Sequence, residues 1–95
     1  MVKRYLIKKG NDLSEYEIVN ALLTNSFNSI DIVERNESKS DPFIRLRLKE
    51  GTFVLFKGEK KEAGIYIDSG QDENIIISKI KNKLKSSGLN LEKII

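Results

Sequence analysis

The 95-residue sequence predicts one α+β domain, an antiparallel sheet of four or five strands with two helices packed on one face. Three observations point there. Five short segments carry β-branched, aromatic and leucine side chains in alternation or short apolar runs bounded by turn residues. Two longer segments place apolar side chains at the three-to-four spacing of an amphipathic helix. Four of the strand segments follow one another with short connections, and such antiparallel meanders cover one sheet face with helices.

Val2 to Lys9 reads as the first strand, ended by Gly10-Asn11-Asp12. A helix follows. Ser14 and Glu17 have the spacing of a capping box, and Leu13 and Ile18 that of a hydrophobic staple. Tyr16, Ile18, Val19, Leu22, Leu23 and Phe27 share one half of its surface. Ile30 to Arg35 is the second strand, and the polar run from Asn36 to Pro42 is the clearest loop. In Phe43 to Lys49 the alternation is strict: Ile44, Leu46 and Leu48 point one way, Phe43, Arg45, Arg47 and Lys49 the other. Glu50-Gly51 is then expected as a two-residue turn, which places Lys49 opposite Thr52, Arg47 opposite Val54 and Arg45 opposite Phe56. Thr52 to Lys57 is apolar on both faces, as a central strand is. A charged loop leads to a short strand, Ile65 to Ile67.

The last helix is expected over residues 73–87, with Asp72 as its N-cap and Gly88 just past its end. In a Schellman ending Leu84 and Leu89 would touch. Ile76, Ile77, Ile80 and Leu84 form its apolar stripe, and Lys79, Lys81, Lys83 and Lys85 flank that stripe as snorkelling side chains do. The tail from Leu89 to Ile95 is too apolar to fray, so it docks as a strand or turn or meets a partner. The order β-α-β-β-β-β-α resembles one half of a TATA-binding protein and is related to that of double-stranded-RNA-binding domains. The resemblance is of topology only. No motif of either family is present, and no site residue is carried over.

Composition removes whole classes of chemistry. There is no cysteine and no histidine, which excludes disulfides, thiolate or imidazole zinc sites, cysteine nucleophiles and a Ser-His-Asp triad. No glycine-rich phosphate loop or nucleophile elbow occurs. Asp68, Asp72 and Glu73 gather three carboxylates without calcium-loop spacing, and read as a strand end and a helix cap. The expectation is a protein that is no enzyme and takes no metal or other cofactor. The apolar runs are far too short to span a membrane, and the start lacks the pattern of a secretory signal, so the expected location is cytoplasmic. The formal net charge is +3, with both signs spread along the chain.

The sheet face without helices carries the functional reading. Phe43, Phe56 and Tyr66 are expected there among Arg45, Arg47 and Lys49, with Val33 a further candidate. Exposed aromatics in a row need a cover. One cover is protein, a second copy of the chain or another subunit, since Tyr, Phe and Arg are enriched at interface cores. The other is RNA or DNA, with rings stacking on bases and arginines on phosphates, as sheet faces of RNA-binding domains and of the TATA-binding fold are used. A third reading leaves the face inert, with arginine stems covering the rings. Of these, a dimerising or partner-binding module is the reading placed first.

Overall fold

A computed structural model describes residues 2–26 and 31–94. Along the chain run β1 (Lys3–Lys9), β2 (Asp12–Leu13), α1 (Tyr16–Ser26), β3 (Asp31–Asn36), β4 (Phe43–Leu48), β5 (Gly51–Lys57), β6 (Ala63–Ile67), α2 (Glu73–Lys85) and β7 (Asn90–Lys93). Among the described residues the strands form one seven-stranded antiparallel sheet in the order β2-β1-β6-β5-β4-β3, with β7 also on β1. Tyr5 pairs with both Ile65 and Lys93, so β6 and β7 flank β1 on opposite sides. The class is α+β as expected, and two strands join the expected order. One is the short β2. The other is β7, which settles the apolar tail as a strand. Phe27, Ile30 and Ile95 lie outside the described residues.

Both helices pack on the same face. One continuous core joins Tyr16, Val19 and Leu23 of α1 to Ile76, Ile77, Ile80 and Leu84 of α2. Between them lie Tyr5 and Ile7, Ile44, Leu46 and Leu48, Phe53 and Leu55, and Ile65 and Ile67. These strand positions share a face by register, Tyr5 opposite Ile65, Ile65 opposite Leu55, and Leu55 opposite Ile44. Each such burial contributes about 1.5–3 kcal/mol. No helix among the described residues is long and apolar enough to cross a membrane.

The ends of α2 follow the local code. Asp72 Oδ1 accepts from the Ile75 N–H at 3.3 Å, which satisfies one of the helix's unpaired donors. Gly88 takes φ +74°. The Leu89 N–H then returns to the Leu84 carbonyl at 3.1 Å and the Gly88 N–H to Lys85 at 3.0 Å, a Schellman ending with Leu84 and Leu89 both buried.

The start of α1 departs from expectation. Ser14 forms no capping box with Glu17, because the sheet uses its backbone. Its N–H donates to Ile7 and its carbonyl accepts from Ala63, filling the gap where β1 and β6 diverge. The Tyr16 N–H is met instead by the Lys61 carbonyl at 2.9 Å. No staple forms either, with Leu13 40% and Ile18 62% exposed. β6 begins at Ala63, two residues earlier than expected, since the ladder with β1 and β5 extends to Gly64 and Ala63.

Candidate interaction surface on the helix-free face

The β4-β5 hairpin turns at Lys49 and Glu50, with Leu48 opposite Gly51. This corrects the expected Glu50-Gly51 turn. Gly51 is needed inside the strand, where a Cβ would stand 2.6 Å from Gln71 Oε1 and 2.7 Å from Ile76 Cδ1. Gln71 then clamps Thr52. Its Oε1 accepts from the Thr52 N–H at 2.8 Å and its Nε2 donates to the Thr52 carbonyl at 2.9 Å. The β5-β6 ladder starts only at Val54, so the side-chain amide stands in for a missing strand. Phe43 is therefore opposite Phe56, Arg45 opposite Val54 and Arg47 opposite Thr52. Lys49 lies in the turn, exposed, rather than in the strand.

Two cross-strand rows build the face. One runs Arg4, Tyr66, Val54, Arg45, Glu34. The other runs Glu92, Leu6, Gly64, Phe56, Phe43, Asn36. Phe56 lies flat over Gly64, where a Cβ would meet its ring at 2.4 Å. Its centroid is 5.8 Å from that of Tyr66, the rings tilted by 39°. Phe43, Phe56 and Tyr66 are each half-buried. Val54, though on this face, is fully covered. The rings and Arg45 stem close over the centre of the sheet, and a cavity of about 330 Å³ remains between Arg4, Asp41, Phe43, Phe56 and Tyr66.

The arginines are engaged within the chain. Arg45 donates to Asp68 Oδ2 at 3.0 Å and reaches Glu34 Oε1 at 3.5 Å. The hydrogen bond to Asp68 holds its guanidinium more firmly in the charged form than in water, with partial burial opposing. Arg47 lies 3.6 Å from Asp31 Oδ2. Around the rings stand Arg4, Arg45, Arg47 and Lys49 with Asp31, Glu34, Asp41 and Asp68, and further along the same face Lys8 pairs with Glu92 at 2.8 Å, so both signs are represented throughout.

Five of the six residues expected at the site, Phe43, Arg45, Arg47, Phe56 and Tyr66, are brought to one surface, and Lys49 stands at its rim. Val33 occupies a bulge between Ile32 and Glu34 on the outer strand, away from the rings. Arg4 and Asp41 were missed. Arg4 arrives only through the pairing of β1 with β6, some sixty residues away in sequence, and no local pattern signals that. The carboxylates considered as cation ligands have other partners: Asp68 binds Arg45, Asp72 caps α2, and Glu73 accepts from the Tyr5 hydroxyl and pairs with Lys93 at 3.0 Å. No family model, no curated protein and no solved structure matches this chain.

Proposed function

We propose that the helix-free face is a protein-interaction surface and that its first partner is a second copy of the chain. The role is binding rather than catalysis. The observation that carries it is the charge-balanced ring of residues around a half-buried aromatic cluster. A face that carries both signs of charge in comparable number can meet a second copy of itself across a two-fold axis without net repulsion. A polyanion gains less there, since phosphates would have to displace Asp68, Glu34 and Asp31 from the arginines. Six strands at about 4.8 Å spacing and about 20 Å of strand give a face of roughly 500–600 Å². Two such faces bury about 1,100 Å², at the lower edge of stable interfaces, so a weak dimer is expected.

Light scattering across a concentration series tests this. The expected result is a mass rising from 10.9 kDa towards twice that value as concentration increases. Phe43→Glu and Tyr66→Glu should each give a folded monomer. A monomer at every concentration overturns self-association. If nuclease treatment is what removes bound mass, and Arg45→Ala with Arg47→Ala lowers the salt dependence of binding, the face binds RNA or DNA instead.

A further inference from the structure

A second recess lies on the opposite side of the sheet, where α1 and β3 splay apart. It has a volume of about 460 Å³ and is walled by α1 and the connection between β3 and β4, with Ile44 in its lining. Two cations occupy positions that the sheet's alternation reserves for core residues. Arg35 is opposite buried Ile44, and Lys57 is opposite buried Ala63. The bulge at Val33 is the reason for Arg35: it reverses the alternation and turns this residue to the helix side.

Each cation has a carboxylate nearby, and in both cases the cation is the deeper member. Arg35 and Lys57 side chains are 41% and 23% exposed, while their partners Glu37 and Glu17 are 78% and 71% exposed. The pairs are long, 3.5 and 3.8 Å. Pairs of that kind are weak and solvent-screened, so an anion entering the recess can replace the carboxylates. Lys39 adds a third cation to the lining.

On the helix wall stands Asn20. Tyr16, one turn earlier, adds a ring to the same wall. Burial, with the Glu17 charge second, holds its phenol above the ordinary value, so the hydroxyl remains a donor across the neutral range.

We propose that this recess binds a small phosphate monoester, with the phosphate on Arg35, Lys57 and Lys39 and the rest of the ligand against Tyr16 and Asn20. The volume suits a molecule of nucleoside monophosphate size. The polar lining and the deeper placement of the cations select the anion.

The test is an NMR titration of the whole ¹⁵N-labelled chain with adenosine monophosphate, with adenosine alone as the control. The expected result is saturable shifts at residues 16–20, 35–39 and 57, weakening several-fold as salt rises, with adenosine inert at the same concentrations. Arg35→Gln and Lys57→Gln should each weaken binding roughly tenfold, as loss of a charge-assisted hydrogen bond does. Absence of shifts at these residues overturns the proposal, as does equal binding of adenosine. Unchanged affinity in a folded Arg35→Gln overturns it too.

Discussion

Gly64→Ala tests the packing of the helix-free face at one point. The new Cβ would lie 2.4 Å from Phe56 Cζ and 2.8 Å from both Cε atoms. The backbone cannot yield, because Gly64 is paired with Leu6 on one side and Phe56 on the other. The ring must therefore move out by about 1 Å or more to reach an ordinary contact distance, and it loses part of its contact with Tyr66. Overpacking of this kind costs about 1–3 kcal/mol, and alanine in a strand returns roughly 0.5–1 kcal/mol over glycine. The net expectation is about 1–2 kcal/mol, a fall in Tm of roughly 5–15 °C for a domain of this size. Thermal and urea unfolding followed by circular dichroism will measure it, at one fixed low concentration because self-association would add stability. In a Phe56→Ala background the same Gly64→Ala change should be neutral or slightly stabilising, a coupling of at least ~1 kcal/mol. An equal cost in both backgrounds would refute the account, because the ring would then not be what excludes the Cβ.

Three further outcomes follow from named contacts. Gln71→Leu removes both bonds to the Thr52 backbone and should cost about 1–3 kcal/mol; hydrogen exchange should show the Thr52 amide losing protection while Phe53 keeps it. Gly88→Ala should cost about 1 kcal/mol from the left-handed φ alone, since nothing lies within 4 Å of the added Cβ, and Gly88→Asn should recover part of that on denaturant titration. The Tyr5 and Glu73 pair gives stability a dependence on pH at both ends. Burial, then the hydrogen bond to Glu73, raises the Tyr5 phenol, so its contribution is complete below the ordinary value of 10.0 and is lost as pH rises beyond it. The Tyr5 hydroxyl and Lys93 lower the Glu73 carboxyl, so its contribution is present above the ordinary carboxylate range and fades as pH falls through and below it. Tyr5→Phe should flatten the alkaline limb in part, because the buried Tyr16 phenol is raised as well, and the acid limb in part, as read by Tm against pH.

Much of the sheet face was legible because its side chains alternate with a period of two. The hairpin register was expected two residues away from where it lies, with Arg45 opposite Phe56 rather than Val54. A two-residue slip leaves every side chain on its face, so Phe43, Arg45, Arg47, Phe56 and Tyr66 still converge. A one-residue slip would have scattered them. The end of α2 was legible for a different reason: Asp72, Leu84, Gly88 and Leu89 interact within a few residues of one another. What failed was decided by partners distant in sequence. Ser14 reads as a cap until Ala63 takes its carbonyl. Ile18 reads as core because the apolar arc of α1 is wider than the strip the sheet can cover. Strict alternation from Ile32 would put Arg35 on the helix-free side, and only the bulge, seen against β4, turns it over. That one inserted residue builds the cationic recess.

The position of β1 also bears on how the chain folds. It is an interior strand in space, and apart from the short β2 its neighbours, β6 and β7, lie about sixty and eighty-five residues downstream. The meander from β3 to β6 can zip from local turns, but Tyr5 and Ile7 have no ladder until Gly64 and Leu91 are present. During synthesis β2 can pair early with Lys8 and Lys9, but the rest of β1 must wait, apolar and unpaired, until those distant strands emerge. Loop closure over such separations is slow, and an unpaired strand edge in the interval invites aggregation. The lysines and arginine that punctuate β1, at positions 3, 4, 8 and 9, suit that interval: charges flanking a waiting strand discourage pairing with another copy.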